Sequence, residues 1–405
     1  MGRVTPRSGL VIGMCFLVAV LEGYDIQAFG VAAPHFAPEM GLNPAQVGWA
    51  GSAAMVGLVI GAFTGGWAAD RWGRKPVLLA SVLAFAVFSL ATAYASGLSP
   101  LLLARFATGL GFGGAMPNLV AIAAEVSSPQ RRGVVTGAVF CGMPTGGAAV
   151  SLLARLAGEA VDWRMLFLVG GALPLLIAPL IAWLLPETRP IGAEKSDRGL
   201  LNALFAEGRT GPTLLLWSAS LLTLVIMYLL LNWLPSLVVA KGHTAGDGAA
   251  ASLSFNLVGI AGALLVGLST DRAGVRWSML GAYAALGAAL WGLGRAAGLD
   301  QIFALSGAVG FLVLGTQYVL YGIAPALYPP SARAAGAGAS VGIGRFGAII
   351  GPLLAGDLRQ AGWTADQVLG VMVPVALAAG AAVVALTYLA KVREAPQADG
   401  LPVGG

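Results

Sequence analysis

Charge is scarce in this sequence. Aspartate, glutamate, lysine and arginine make up 10% of the 405 residues, against roughly 25% in a soluble domain. So little charge cannot cover a water-facing surface, and most of the exterior is expected to face lipid. Histidine is nearly absent: His35 and His243, far apart in the chain, are expected in short loops, so no His/Cys metal site is expected. Cys15 and Cys141 both fall inside apolar runs, which excludes a disulfide framework. No nucleophile–base set survives inspection either, so neither enzymatic chemistry nor a bound cofactor is expected.

Apolar residues, by contrast, make up 58% of the chain, with a mean hydropathy of +0.83. The 59 glycines suit membrane helices that pack backbone to backbone. A membrane span needs about 20 apolar residues at 1.5 Å each. Twelve segments qualify: residues 10–34, 47–69, 76–96, 99–124, 133–157, 164–185, 213–240, 248–270, 276–296, 301–327, 334–357 and 366–390. Most connections are short. The exception runs from Pro186 to Pro212 and divides the spans six and six. The expected architecture is an all-α membrane protein of 12 transmembrane helices in two pseudo-symmetric bundles. Residues 1–186 form the first bundle, 187–212 a linker, 213–391 the second bundle and 392–405 a short tail.

The halves carry related signatures. Gly66-Trp67-Ala68-Ala69-Asp70-Arg71-Trp72-Gly73-Arg74-Lys75 joins spans two and three. A degraded copy, Gly267-Leu268-Ser269-Thr270-Asp271-Arg272-Ala273-Gly274-Val275-Arg276, joins spans eight and nine. Each half also runs a proline and arginine turn into a glycine-rich helix: Pro129-Gln130-Arg131-Arg132-Gly133 before span five, and Pro330-Ser331-Ala332-Arg333 before span eleven. Two parallel six-helix repeats around a central cavity are a transporter plan. The formal charge of +5 points to topology rather than nucleic acid, because 16 of the 23 lysines and arginines fall in alternate loops and five at the opposite ends. The positive-inside rule then places both termini in the cytoplasm. The first run, too long for a cleaved signal and carrying Glu22 and Asp25, is expected to be a retained span.

Some motifs mislead. Gly109-Leu110-Gly111-Phe112-Gly113-Gly114 and Gly342-Ile343-Gly344-Arg345-Phe346-Gly347 match a dinucleotide fingerprint, but that site needs a strand–turn–helix context and both lie in membrane-length runs.

Ionisable groups inside spans are costly and default to functional hypotheses. Glu22 and Asp25, three residues apart in span one, are expected to share a face. Two carboxylates in a low-dielectric site cannot both ionise cheaply, which makes the pair a candidate proton acceptor; the alternative is a salt bridge that fixes packing. Arg105 in span four either pairs with Asp25 or grips a substrate. Arg345, amid glycines in span eleven, is the first choice for an anionic ligand, since a guanidinium holds a carboxylate through two parallel hydrogen bonds. Gln27, Asn118, Asn232, Asn256, Gln317, Tyr318 and Tyr321 are further polar groups at useful depth, and Tyr24 and Tyr228 offer aromatic walls. Substrate contacts are expected from Arg345, Arg105, Tyr318, Gln317, Asn232 and Tyr24. Asp70, Gly73, Arg74, Glu125, Arg131, Asp271 and Arg333 form a candidate charge network that gates the cytoplasmic face.

At these residues the chain resembles the major facilitator superfamily. The run Gly66 to Lys75 is similar to its signature between helices two and three, with Ala68 where leucine is usual. Leu185-Pro186-Glu187-Thr188-Arg189 is similar to the motif after helix six, and Arg105 with Gly109 and Gly111 to the helix-four motif. Cys15 to Gln27, Met116-Pro117-Asn118-Leu119, Asn232-Trp233-Leu234-Pro235 and the run Tyr328 to Gly356 resemble the aromatic acid:H+ symporters, in the hydroxyphenylpropionate-transporter branch. Position 22 is Glu where many members carry Asp, and Tyr318 stands where some have histidine. The resemblance implies roles for Glu22, Asp25, Asp70, Arg105, Arg333 and Arg345 in transport. It implies a multi-pass protein of the bacterial inner membrane, acting as a monomer on a small organic anion and protons. The expected function is proton-coupled uptake of an aromatic carboxylate by alternating access; an efflux transporter or a non-transporting sensor of such acids are the alternatives.

Overall fold

The computed structural model describes residues 6–128, 130–158, 162–188, 204–206, 208–329 and 333–390, the side chains of residues 6, 7, 334 and 335 excepted. The tail at 392–405 and most of the linker lie outside the described residues. Among the described residues the long helices follow in order: α1 (Pro6–Glu39), α2 (Pro44–Trp72), α3 (Arg74–Ala93), α4 (Leu98–Glu125), α5 (Arg132–Phe140), α6 (Gly142–Ala157), α7 (Trp163–Leu184), α8 (Thr210–Ala240), α9 (Ala245–Arg295), α10 (Leu299–Ile323), α11 (Arg333–Gln360) and α12 (Ala365–Leu389), with a 3-10 turn at Ala324–Leu327 between α10 and α11. No strand occurs among the described residues.

Helix count and span count agree only after two adjustments. Among the described residues, eleven helical stretches are long and apolar enough to cross a membrane. One of them, α9, has 51 residues, about 77 Å at the helical rise and far more than a bilayer core of about 30 Å. Gly274 breaks it with φ 78° and ψ 157°. Gly73, between α2 and α3, has φ 98° and ψ 158°. Both glycines sit three residues after an aspartate, and both adopt a backbone open essentially only to glycine. The two charged turns are thus the same turn in conformation, and α9 supplies spans eight and nine.

The second adjustment is at span five, which α5 and α6 share. Pro144 has no N–H to give to the carbonyl four residues earlier, and that carbonyl belongs to Phe140. The helix breaks at Cys141 between them.

Glycine sets the packing inside each half. A Cβ on Gly57 or Gly61 of α2 would strike the backbone of α4 at Phe106 and Leu110, and one on Gly109 or Gly113 of α4 would strike α2 at Ala54 and Leu58. In the second half, Gly262 of α9 faces Phe311 of α10, and Gly310 of α10 faces Phe255 of α9. Spans two and four, and spans eight and ten, are the same close-packed pair used twice.

The halves meet chiefly at the face remote from the two charged turns. There Ser52 of α2 donates to the Ile349 carbonyl of α11 at 2.7 Å, and Gly48 packs on Gly356. Gln27 of α1 donates to the Leu231 carbonyl of α8 at 2.9 Å. Arg155 of α6 lies 3.9 Å from Asp247 of α9. Ser52 is 20 residues before Trp72, about 30 Å along the helix. Toward the turn face the halves diverge. A Cβ on Gly338 or Gly342 of α11 would meet nothing within 4 Å.

Candidate functional site

A cavity of about 580 Å³ lies between the halves. The first half lines it from α1, α2, α4, α5 and α6, and the second from α8, α9, α10 and α11. Its wall is mainly apolar, with Met116, Val120, Met143, Leu224 and Met227 among its members. Eight polar side chains interrupt it: Glu22, Gln27, Tyr228, Asn256, Gln317, Tyr318, Tyr321 and Arg345. A mostly apolar concavity with a few convergent polar groups is the usual form of a small-molecule site.

Glu22 and Arg345 are the charged members, one from each half. Glu22 is 1% exposed. Its Oε2 has no hydrogen-bonding partner, and neither has Nη1 of Arg345. The two are close enough to act on each other's charge but form no direct ion pair. Room around them comes from glycine: Gly342 precedes Arg345 by one turn and leaves open space, and Gly23 lets α1 press on the Met143 backbone of α6.

Asp25 faces elsewhere. Three residues advance a helix by about 300°, so Glu22 and Asp25 stand about 60° apart, on either side of the edge that α1 presents to the cavity. The shared face expected from their spacing is split by that edge. Asp25 turns into the first half, where Arg105 Nη1 reaches its Oδ1 at 2.8 Å and the Ser89 hydroxyl of α3 donates to its other oxygen. The pair is sealed from solvent, with side chains 0% and 1% exposed. The Arg105 guanidinium lies 5.0 Å from the Phe29 ring centroid and 5.9 Å from that of Phe167. Neither Asp25 nor Arg105 lines the cavity.

The remaining candidates divide. Gln317 and Tyr318 line the cavity. Tyr24 and Asn232 are buried behind it: Asn232 donates to the Tyr228 carbonyl at 2.8 Å, and the Tyr24 ring packs at Gly170. Asn118 is turned to its own helix, donating to Gly114 at 2.8 Å. On the turn face Arg74 pairs with Glu125, and the Arg74 backbone N–H donates to Glu187 Oε1 at 3.0 Å, which caps α3. Asp70, Arg131, Asp271 and Arg333 are exposed.

Phe140 was not among the residues singled out from sequence. Its ring stacks on Tyr321 at 5.9 Å and meets Tyr318 edge-on at 6.1 Å. Its carbonyl, the one freed by Pro144, accepts the Tyr318 hydroxyl at 2.9 Å. A bond across the halves therefore fills the vacancy that a proline creates. The signal was present in the sequence, since a mid-span proline always frees the carbonyl four residues back. Because Gly23 packs against Met143, Phe140 lies about one turn nearer the turn face than Glu22.

Comparison with known proteins agrees with this architecture. The sequence profile described as Major Facilitator Superfamily matches residues 15–316. The 3-(3-hydroxy-phenyl)propionate transporter of Escherichia coli (strain K12) is 40% identical over 388 residues, 95% of this chain and 96% of that protein. The 4-hydroxybenzoate transporter PcaK of Pseudomonas aeruginosa is 33% identical over 93% of this chain and 92% of its own length. Among solved structures, a D-xylose-proton symporter superposes with a TM-score of 0.74 at 16% identity, covering 92% of this chain and 96% of that one; at that identity the likeness is one of fold.

Proposed function

The chain belongs to the Major Facilitator Superfamily, and we propose that it takes up an aromatic carboxylate together with a proton by alternating access. The observation that carries this reading is the pair Glu22 and Arg345, facing each other across the cavity from opposite halves, each with an unpartnered polar atom. The Arg345 guanidinium offers a planar fork of donors to a carboxylate. An anion arriving there repels an ionised Glu22, and the repulsion vanishes when Glu22 holds a proton. Substrate and proton therefore favour each other's binding. The rings of Phe140, Tyr228, Tyr318 and Tyr321 supply flat apolar walls for an aromatic body. The two relatives are named for hydroxylated aromatic acids, which fits this chemistry.

Asp25 and Arg105 act beneath the site as a brace for the α1 surface that carries Glu22. The positive-inside distribution of arginine and lysine supports a cytoplasmic side for the charged turns and both termini at a bacterial inner membrane, and on this reading the cavity faces inward. Asp70, Asp271, Arg131 and Arg333, exposed in this state, are the groups that approach one another when the cytoplasmic face closes. One chain holds the whole cavity, and a monomer suffices for transport.

The test is uptake of labelled 3-(3-hydroxyphenyl)propionate into proteoliposomes with an alkaline interior. Accumulation beyond equilibrium that collapses with a protonophore is expected; outward pumping under the same gradient rules the reading out. Glu22→Gln is expected to keep substrate counterflow while losing gradient-driven accumulation. Full accumulation by that variant removes Glu22 from the coupling.

A further inference from the structure

Three carboxamide side chains line the cavity, and two are already engaged. Gln27 donates through Nε2 to the Leu231 carbonyl at 2.9 Å. Asn256 donates through Nδ2 to the Ser252 carbonyl at 2.8 Å and lies 3.4 Å from Gln27 Oε1. Both belong to the seam that closes the face remote from the charged turns. Gln317 is different. It is 2% exposed, and neither its Nε2 nor its Oε1 has a hydrogen-bonding partner. Folded proteins leave few buried polar atoms in that condition, because each has lost water and gained nothing in return.

The neighbours narrow what Gln317 awaits. The Tyr318 hydroxyl is held by the Phe140 carbonyl and is turned from it. The Tyr321 hydroxyl, one turn along α10, comes near enough to act on the amide as a hydrogen-bonding neighbour but does not reach the geometry of a made bond, and Tyr321 lies within the field of Arg345. The Arg345 guanidinium and an amide with no made hydrogen bond thus share one region of the second half. The amide presents a donor and an acceptor side by side. A second carboxylate answers only the donor and is repelled by Oε1. A bare ring edge answers neither. A hydroxyl answers both, since it donates to Oε1 or accepts from Nε2.

We propose that Gln317 reads a hydroxyl on the substrate's ring, and so sets a preference for hydroxylated over unsubstituted aromatic acids. The inference rests on the aromatic-carboxylate reading above. A site built to hydrogen-bond a hydroxyl discriminates strongly against the analogue that lacks it, whereas an apolar pocket discriminates weakly.

The experiment compares 3-(3-hydroxyphenyl)propionate with 3-phenylpropionate in proteoliposomes, scoring kcat/KM for uptake and, in detergent, the Kd of each acid. The parent protein is expected to favour the hydroxylated acid about tenfold or more. Gln317→Met keeps the side-chain length and removes both polar atoms. It is expected to lose about tenfold or more for the hydroxylated acid, leave phenylpropionate unchanged or improved, and bring the ratio close to one. Retained handling of phenylpropionate doubles as the folding control, and Gln317→Leu replaces the Met variant if that one does not fold. Equal loss for both acids assigns Gln317 to packing and overturns the proposal, as does an unchanged ratio. If the parent protein handles neither acid, the aromatic-carboxylate reading fails instead, so the two failures are distinct.

Discussion

In the first half, α1, α3 and α4 are joined internally by Asp25, Ser89 and Arg105. In the second, hydroxyls join the interiors of the corresponding spans: Thr223 of α8 bonds Tyr283 of α9 at 2.6 Å, with Thr316 of α10 beside the same phenol. One bundle is tied by buried charge and the other by neutral groups. A buried ion pair holds its geometry because either partner left alone is a bare charge in an apolar medium. A hydroxyl tie loses only a hydrogen bond when it is disturbed. The charged tie is therefore the costlier of the two to break. The half with the neutral tie carries Gln317, Tyr318, Tyr321 and Arg345 into the cavity. The far ends repeat the theme with reversed sign. Glu39 at the end of α1 accepts from Trp163 Nε1 and Arg164 Nη2 of α7, each at 2.6 Å. Lys241 at the end of α8 lies 2.5 Å from Asp366 of α12 and also donates to the Gly294 and Ala296 carbonyls.

Thermal unfolding in detergent tests the comparison. Arg105→Gln leaves Asp25 unpaired and is expected to cost about 3–5 kcal/mol, and adding Asp25→Asn to it is expected to restore much of the loss. An Arg105→Gln protein as stable as the parent would end the argument for a charged brace. Tyr283→Phe, which cuts the neutral tie, is expected to cost about 1 kcal/mol; a loss equal to that of Arg105→Gln erases the difference between the halves. Arg164→Gln, at a solvent-exposed pair, is expected to shift the melting temperature least, and less still as salt is added.

The spans and their duplication were legible because membrane-length apolar runs and a charged turn used twice leave few alternatives. The equivalence of Gly73 and Gly274 needed only their shared distance from an aspartate. Sequence also isolated the few ionisable residues within spans, since each stands out against an apolar background. It did not tell which way they point. Much of α1 is buried on more than one side, so its apolar residues mark no single inner face, and the divergence of Glu22 from Asp25 left no trace in the pattern. Tyr318 was legible as a polar group at depth, but its partner was not. That partner is a backbone atom 178 residues earlier, exposed by a proline whose effect is read on Phe140 and not on itself.

The same bond has a consequence in time. Chains are synthesised at roughly 5–20 residues per second, so the 178 residues between Phe140 and Tyr318 take about 9–36 s to make. Through that interval the fifth span sits in the bilayer with a carbonyl that its own helix cannot satisfy. Water entering the half-built cavity is the partner at hand. The second bundle, on docking, replaces that water with a phenol. The protein thus carries in span five a vacancy that records whether its two halves have met.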